Sequence, residues 1–348
     1  MIVMTTSAHF SSDPRSQQLQ SWLAQLPEFA SQLRLESFRP ASADASFRKF
    51  YRVDNQAGLS LIAVDAPPAT ENNAAYLKNA ELFKKLHLTV PEVFAHDLQQ
   101  GFFLVSDLGT ETYAHVINHD NAHHLYLDAI DALVLMQAQS QPEVFPEFDR
   151  AFIERELGIF KEWYIDKHLQ VSLTEQQQTT LAKVLEHITA TVLAQPQVYM
   201  HRDFHSRNLI WRQQGNPGIV DFQDAVYGPI TYDLVSLLRD AYQQWDEELV
   251  LDWAIRYWEK ARKAGLPVAD DIDSFYRDFE ITGLQRHLKI LGLFVRLSKR
   301  DGKHHLLGDI PTVMEYVRRT CNRYRELVPL LRLLDSWENR EVQSGYTF

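Results

Sequence analysis

The feature that most constrains the fold of this chain is a change of hydrophobic period near Leu108 and Gly109. Before this point apolar residues alternate over short segments, as in strands, and after it they recur every three or four residues, as in amphipathic helices. No flexible linker marks the change. We therefore predict an α+β fold with two lobes. Residues 1–108 form a small antiparallel sheet with one long helix, and residues 109–348 form a larger, mainly helical lobe.

Local signals refine this division. Asp13-Pro14 is typical of a helix start, with an N-cap followed by proline. Strands are predicted over 34–39, 45–53, 59–65, 92–97 and 102–107, with a helix over 71–86 between the third and the fourth. The later helices are predicted over 121–138, 149–169 and 174–193 and from 232 onward, interrupted by a strand-rich stretch over 198–221.

Composition narrows the class of protein. The net charge of −11 disfavours a dedicated nucleic-acid binder. The single cysteine, Cys321, excludes an intrachain disulfide framework and a multi-cysteine zinc site. No apolar run approaches the roughly 18 residues of a membrane span. We expect a soluble cytoplasmic enzyme that binds small molecules, with no nucleic acid, no membrane and no obligate protein partner.

The stretch 199–211 carries the most chemical information. His201, Asp203 and Asn208 have the spacing H-x-D-x-x-x-x-N, and Asp221 follows a second apolar segment. Phosphoryl transfer needs a carboxylate near the acceptor hydroxyl and oxygen ligands that hold Mg²⁺ against the nucleotide phosphates. Asp203 suits the first role, and Asn208 and Asp221 suit the second. A hairpin between them would bring Asn208 and Asp221 to the same end, as a shared metal requires.

Two other interpretations of this stretch stay open. Its acidic and amide residues could be ordinary turn and cap residues. Alternatively, His201, Asp203 and His205 alternate, so on a strand they would share one face and could bind Zn²⁺ or Fe²⁺ in a metallohydrolase. That second interpretation leaves Asn208 and Asp221 unexplained.

Residues 201–208, together with Asp221-Phe222, resemble the aminoglycoside phosphotransferase and choline kinase group, which is related to the protein kinases. Further segments are similar to one subfamily, the anomeric sugar kinases of bacterial cell-wall recycling: 42–48, 64–68, 221–229, 285–289, 300–303 and 308–311. The resemblance implies a protein-kinase-like fold. It also implies an ATP- and Mg²⁺-dependent kinase that phosphorylates the anomeric C1 hydroxyl of N-acetylmuramate, N-acetylglucosamine or both, in peptidoglycan recycling.

The resemblance assigns roles around the motif. Asp203 would orient the anomeric hydroxyl and accept its proton, while Asn208 and Asp221 would bind Mg²⁺. His201 would brace the catalytic loop, and Asp233 would hydrogen-bond that loop from the following helix.

The resemblance also implies a nucleotide site. Val105, Asp107 and Leu108 would form the hinge that meets the adenine, and Ser42 and Ser46 belong to the turn that would cover the phosphates. The third strand lacks the lysine of protein kinases. Three nearby cations could replace it, and Arg48 is preferred over Lys49 and Arg52 because it is nearest the turn. Glu81 stands either where the kinase ion-pair glutamate would be or on a solvated helix face.

The acceptor pocket is the least determined part. A predicted helix over 284–300 places Arg286, Lys289 and Arg300, with Arg296, opposite its apolar side. These cations form either a solvated face or part of a pocket for the lactyl carboxylate of N-acetylmuramate. Asp224 and Tyr227 are candidates for contacts with sugar hydroxyls. The alternatives are a kinase of another small hydroxyl acceptor (an aminoglycoside, choline or an amino alcohol) and a nucleotide-binding pseudokinase.

Overall fold

A computed structural model describes residues 13–41 and 48–338. The chain divides into two compact units. The sheet unit contains the described residues up to Thr112 together with Asn208–Asp224, and the helical unit contains Tyr113–Arg207 and the described residues from Ala225 onward. The chain thus returns to the sheet unit once, for the stretch that carries Asn208 and Asp221.

The elements follow the hydrophobic pattern closely. The strands are β1 (Leu33–Pro40), β2 (Lys49–Asn55), β3 (Ser60–Asp65), β4 (Val93–Asp97), β5 (Phe102–Ser106), β6 (Gln197–Met200), β7 (Leu209–Ile210), β8 (Gly218–Ile219) and β9 (Val226–Pro229). The α-helices are α1 (Pro14–Ala24), α2 (Asn73–Lys85), α3 (Tyr113–Val116), α4 (Ala122–Gln137), α5 (Arg150–Ile159), α6 (Glu175–Ala194), α7 (Tyr232–Leu238), α8 (Glu247–Lys263), α9 (Ile272–Asp301), α10 (Ile310–Arg323) and α11 (Val328–Trp337).

The sheet unit is built on a five-stranded antiparallel sheet in the order β1-β2-β3-β5-β4. Successive side chains of a strand point to opposite faces. Ala63 and Leu104 therefore pack with α1 on one face, while Val64 and Val105 pack on the other face with Tyr76 of α2. Both faces are covered by a helix, which explains the buried runs in β3 and β5.

The helical unit is organised around α9. The Asp271 side chain caps this 30-residue helix by accepting a hydrogen bond from the Ser274 backbone N–H, and Gly302 ends it in the left-handed region at φ 72°. Helices α5, α6, α7 and α10 all contact α9. The middle of α9, residues 279–292, is therefore buried on every side. The hydrophobic core of the helical unit joins α9 to α6, α10 and α11.

The predicted helix over 149–169 differs from the structure in its second half. It begins at α5 as an α-helix and continues as a π-helix over Phe160–Leu169. At this junction α9 comes very close, because a Cβ on Gly292 would lie 2.3 Å from the carbonyl oxygen of Ile159. Only glycine allows the two backbones to approach in this way.

The predicted α+β class is confirmed: an antiparallel sheet carries one long helix on a face, and most of the remaining described chain is helical. Among the helices in the described part of the chain, none has the length and apolar character needed to span a bilayer.

Candidate active site

The predicted hairpin between Asn208 and Asp221 is present in the sheet unit. β7 and β8 pair antiparallel, with Leu209 opposite Ile219, and the Val220 backbone N–H donates to the Asn208 carbonyl at 3.1 Å. As a result the Asn208 side-chain amide nitrogen lies 3.4 Å from a carboxylate oxygen of Asp221. The two candidate metal ligands are therefore neighbours across one short ladder.

The backbone around Asp221 is anchored to α2. Asp221 itself has φ 65°, an uncommon conformation for a residue other than glycine. The next residue, Phe222, is fully buried and stacks on Tyr76 with ring centroids 5.2 Å apart. The Asn79 amide donates to the backbone carbonyls of Phe222 and Gln223 at 2.9 and 3.2 Å. These contacts hold the turn that presents the Asp221 carboxylate.

The donor chemistry of this hairpin fits a hard divalent cation. An amide oxygen from Asn208 and a carboxylate from Asp221 are ligands that Mg²⁺ prefers, and Mg²⁺ usually takes few protein ligands and keeps several waters. Gln223 donates from its amide to the Asp221 carboxylate at 2.9 Å, which orients that carboxylate from the side.

Arg48 is the buried cation of the sheet unit near this hairpin. Its guanidinium pairs with Glu71 at 2.7 Å and lies over the Tyr76 ring at 5.5 Å, while Tyr76 in turn stacks on Phe222. Burial raises the pKa of Tyr76 to about 12, so this ring stays a neutral phenol. Arg48, Tyr76 and Phe222 thus form one layered contact that ends beside Asp221.

The other two candidate cations are engaged elsewhere. Lys49 pairs with Asp13, at the start of α1. Arg52 donates to Asp107 at 2.7 Å and to the Gly109 carbonyl at 3.2 Å. Of the three cations considered, only Arg48 therefore contacts the layer that leads to Asp221.

Sequence reasoning missed the acidic partner of Arg48. It considered Glu81 for the ion-pair position, but the Glu81 side chain is exposed, and the carboxylate that pairs with Arg48 is that of Glu71, just before α2. Nothing in the local pattern around Glu71 distinguishes it from other acidic residues, because the pairing depends on how β2 and α2 come together.

The predicted hinge residues lie at the end of β5. Val105 is buried within the sheet, and the Asp107 carboxylate accepts from Arg52 and from the Gly109 backbone N–H. The Leu108 carbonyl accepts a hydrogen bond from Arg212 at 2.8 Å. Ser42 and Ser46, predicted to contact the phosphates, lie outside the described residues.

The loop that carries Asp203, in the helical unit, is held by Asp233. Its carboxylate accepts from the backbone N–H groups of His201 and Arg202 at 2.6 and 2.9 Å. Burial raises the pKa of Asp233 to about 7, against the lowering effect of these two donors. The Asp203 N–H donates to Nδ1 of His201 at 3.3 Å, so the buried His201 ring supports the loop with this nitrogen as an acceptor.

Asp203 lies in a strongly positive environment. Arg286 reaches it at 3.5 Å and also donates to the Arg202 carbonyl at 2.8 Å. Burial alone would raise the pKa of Asp203, but the charges of Lys289 and Arg286 outweigh it and hold that pKa well below its usual range. The carboxylate is therefore ionised throughout the physiological pH range, with its side chain 37% exposed.

Glu156 of α5 neutralises the cations behind Asp203, and sequence reasoning did not single it out. Its buried carboxylate pairs with Arg202 at 3.0 Å and with Lys289 at 3.1 Å, and accepts from Gln285 at 3.0 Å. Burial raises the pKa of Glu156, but the charges of Lys289 and Arg202 lower it by more, so the net shift of this pKa is downward. The loop thus rests on a buried ionic network built from α5 and α9.

The basic residues of α9 do not share one environment. Arg286 and Lys289 are buried inside the helical unit, so a solvated face is the wrong description for them. Arg300 is exposed near the end of α9 and pairs with its neighbour Asp301. The physical reason is that neighbouring helices surround α9, so its polar stripe is covered and paired internally.

Asp224 and Tyr227, the other predicted substrate contacts, fall in different units. Asp224 is an exposed residue of the sheet unit, and Tyr227 is half-buried in β9 of the helical unit. Their contact with a sugar stays a prediction.

The alternative metal site built on His201, Asp203 and His205 depended on a strand that is not there. β6 ends at Met200, and Arg202 has φ 76°, which breaks the alternation between the three residues. Within residues 13–41 and 48–338, no group of three or more His, Cys, Asp and Glu side chains has a metal-binding arrangement.

Comparison with known proteins agrees with this geometry. A family model described as "Phosphotransferase enzyme family" matches residues 37–266. The chain is 46% identical over 313 residues to a Neisseria meningitidis protein named N-acetylmuramate/N-acetylglucosamine kinase, covering 88% of this chain and 93% of that protein. A Pseudomonas putida protein of the same name is 40% identical over 339 residues, covering 96% and 98% of the two chains.

A solved structure shows the fold. The crystal structure of a choline/ethanolamine kinase family protein from Mesorhizobium loti superposes with a TM-score of 0.64 at 13% identity, covering 91% of this chain and 99% of that one. The fold is accordingly protein-kinase-like, and kinases of this kind use ATP and a divalent cation. The chain belongs to the phosphotransferase enzyme family.

Proposed function

We propose that this protein is an ATP- and Mg²⁺-dependent kinase that phosphorylates the anomeric hydroxyl of N-acetylmuramate, N-acetylglucosamine or both, in peptidoglycan recycling. The observation that carries the proposal is the 46% identity, over almost the whole of both chains, to a protein with this substrate pair in its name. The products are ADP and the sugar 1-phosphate.

The chemistry assigns one task to each part of the motif. Asp203 orients the C1 hydroxyl and accepts its proton at a carboxylate oxygen, as the O1–phosphorus bond forms and the bond from the γ-phosphorus to the β-phosphate oxygen breaks. Asn208 and Asp221 would hold Mg²⁺, which when bound neutralises charge on the nucleotide phosphates. The His201 ring and Asp233 position the loop through its backbone.

We further propose that Arg48 takes the place of the missing third-strand lysine. It is buried, pairs with Glu71 and lies in the same layer as Phe222, next to Asp221. A guanidinium presents its N–H donors in a planar fork whose geometry matches phosphate oxygens. The sheet unit, with the proposed hinge at Val105, Asp107 and Leu108 and with Ser42 and Ser46 as proposed phosphate contacts, would then bind the nucleotide.

The charges around Asp203 support an anionic or neutral acceptor. Arg202, Arg286 and Lys289 bring three positive charges, and Glu156 and Asp203 bring two negative charges, while Asp233, with its pKa raised to about 7 by burial, is only partly charged at neutral pH. A cationic aminoglycoside or choline would call for acidic or aromatic lining instead. Arg286 and Lys289 remain proposed acceptor-side residues that act through their charge on Asp203, and Arg300, Asp224 and Tyr227 remain proposed contacts of the acceptor.

The setting of the reaction follows from its substrates. A kinase that consumes ATP and a free amino sugar works in the cytoplasm, and the net charge of −11 agrees with a small-molecule enzyme that has no nucleic-acid partner. The proposal includes no membrane and no obligate protein partner.

An assay of ADP release over a panel of acceptors tests the function. The panel contains N-acetylmuramate, N-acetylglucosamine, glucosamine, choline, ethanolamine and an aminoglycoside, each with Mg²⁺ and ATP. We expect turnover with the two N-acetylated sugars, and none after removal of the divalent cation with a chelator. Turnover only with choline or the aminoglycoside would refute the proposed acceptor class, and no turnover with any acceptor would favour a pseudokinase.

A further inference from the structure

The cations nearest Asp203 are already satisfied by groups of the protein. Arg286 donates to the Arg202 carbonyl and faces Asp203, and Lys289 pairs with the Glu156 carboxylate. Both side chains are buried, with at most 6% of either residue exposed. They set the charge of the catalytic carboxylate, but neither presents an uncommitted, solvent-facing donor to a second carboxylate on a substrate.

Arg207 differs from them in its exposure and in its pairing. It lies four residues beyond Asp203 on the same loop of the helical unit, and it is exposed. Its guanidinium carbon lies 3.5 Å from the centroid of the Tyr242 ring. Within the described part of the chain Arg207 forms no hydrogen bond and no ion pair. The charge of Arg207 has a lowering effect on the pKa of Asp309, but the two side chains lie beyond ion-pair distance.

The Tyr242 ring makes a defined support for this guanidinium. Its neighbours are Phe294, with ring centroids 6.2 Å apart, and the His205 ring at 5.5 Å. An arginine stacked on an aromatic ring keeps its in-plane N–H donors free, and that fork matches a carboxylate in a bidentate arrangement. The side chain is therefore ordered in advance without being neutralised.

This support lies beside the catalytic carboxylate. His205 is two residues from Asp203, and its charge is among those that lower the Asp203 pKa. Burial raises the pKa of Tyr242 to about 12. The charge of Arg207 lowers this pKa and the charge of Asp203 raises it, so both charges act on the Tyr242 hydroxyl. The loop that carries Asp203 therefore also carries Arg207, and the Tyr242 ring contacts both His205 and Arg207 of this loop.

We propose that Arg207, supported by Tyr242, is the residue that selects an acidic acceptor by binding the carboxylate of its side substituent. The inference rests on the proposed function and makes it more specific. N-acetylmuramate carries a lactyl carboxylate that N-acetylglucosamine lacks, so only the first sugar can use this contact. Arg207 is a specificity residue, and the chemistry at C1 remains with Asp203.

The two sugars provide an internal comparison for the test. The full-length Arg207→Gln variant is assayed for kcat/KM with N-acetylmuramate and with N-acetylglucosamine at saturating ATP. The kcat/KM for N-acetylmuramate divided by that for N-acetylglucosamine is expected to fall about 10- to 100-fold. The fall should come mainly from a raised KM for N-acetylmuramate, because a charge-assisted hydrogen-bonded pair is lost. Arg262→Gln is the matched control, since Arg262 is an exposed arginine stacked on Trp258 at 4.7 Å, and its ratio should match that of the wild type.

Two further measurements keep the inference falsifiable if Arg207→Gln folds poorly. In the wild type, raising ionic strength should increase KM for N-acetylmuramate more than KM for N-acetylglucosamine. Arg207→Lys keeps the charge but loses the planar fork, and should give an intermediate ratio.

Several outcomes would overturn the inference. They are an unchanged ratio in Arg207→Gln, equal losses for the two sugars, equal salt effects on the two KM values, and a raised KM for ATP with either sugar, which would make Arg207 a nucleotide contact. In each of these cases the wild-type protein still phosphorylates amino sugars. Failure of the proposed function is distinct, because the wild type would then phosphorylate neither sugar.

Discussion

Asp203 keeps its negative charge because the cations around it outweigh its burial. Lys289 and Arg286 lower its pKa although desolvation alone would raise it. A carboxylate with a low pKa is a weak base, which suits phosphoryl transfer, where most of the gain comes from positioning and electrostatic stabilisation. We therefore assign Asp203 mainly to orienting the acceptor hydroxyl, with proton transfer late in the reaction.

Asp203→Asn tests this role. The amide keeps the shape of the side chain but cannot accept the proton, so kcat is expected to fall by about 10²- to 10⁴-fold while ATP binding changes little. Kinetics with the amino sugars and ATP titration by calorimetry give the two quantities. Asp131→Asn, an exposed carboxylate of α4 that pairs with Lys260, is the control. Retained turnover in Asp203→Asn would remove this residue from the mechanism.

Arg48→Met tests the replacement of the strand lysine. Loss of a charged donor to the phosphates should raise KM for ATP by about tenfold or more, and leave KM for the sugar close to the wild-type value. Lys49→Met is the matched control, because Lys49 is the next residue, half exposed and paired with Asp13. Equal KM values for ATP in the two variants would contradict the assignment.

The residues that sequence could not identify are those whose partners come from distant elements. His201, Asp203, Asn208 and Asp221 fall within one loop and one hairpin, so their spacing carries the information. Glu71 and Glu156, in contrast, are recognisable only from the partners that the fold brings to them. Each lies outside any local motif.

At the scale of elements, α9 shows where periodicity misleads. A helical wheel places Arg286 and Lys289 opposite the apolar side, and a surface helix would expose that face. Because α5, α6, α7 and α10 enclose α9, both residues are buried and paired instead. The pattern predicted the helix correctly, but burial of its polar side depends on the packing of the other helices.

The close approach of α9 to the end of α5 predicts opposite effects for two glycine substitutions. Gly292→Ala would place a Cβ 2.3 Å from the Ile159 carbonyl oxygen, so we expect a loss of about 2–3 kcal/mol in the free energy of unfolding. Gly158→Ala, within α5, meets no atom within 4 Å and should be neutral or stabilising by about 0.5–1 kcal/mol. Urea unfolding measures both; similar effects for the two variants would contradict the described packing.

The lowered pKa of Glu247, at the start of α8, predicts that the free energy of unfolding depends on pH. Burial raises its pKa, but Arg239 and hydrogen bonds from Tyr276 and Arg319 lower it to about 2, below the ordinary value of 4.5. A lowered carboxyl pKa contributes stability above the unfolded-state pKa, and that contribution is lost as the pH falls toward the folded-state pKa.

Glu247→Gln should therefore destabilise the protein by about 2 kcal/mol at pH 7 and by less than half as much at pH 3. Urea unfolding at pH 7, 5 and 3 gives the difference from the wild type at each pH. The exposed neighbour Glu248, changed to Gln, serves as the control and should show little effect throughout. A difference for Glu247→Gln that stays constant from pH 7 to pH 3 would rule out this ionic contribution.

At the scale of the whole molecule, the order of elements along the chain carries the fold class. The single change of period near Leu108 separates the five-stranded sheet from most of the helices, and the α+β class follows from it. The strand-rich stretch over 198–221 is visible in that pattern, but the return of Asn208–Asp224 to the sheet unit is not, because it depends on contacts with distant residues such as the bridge between Thr89 and Gly218.

The central claim is transfer of a phosphoryl group to the anomeric oxygen of an amino sugar. Proton-coupled phosphorus NMR of the product formed from N-acetylglucosamine, ATP and Mg²⁺ tests it most directly. A C1 phosphate has one proton on the carbon that bears it, so the main coupling should split the product signal into a doublet. A signal coupled to the two protons of a C6 phosphate, or no new phosphate ester with this sugar or with N-acetylmuramate, would contradict the claim.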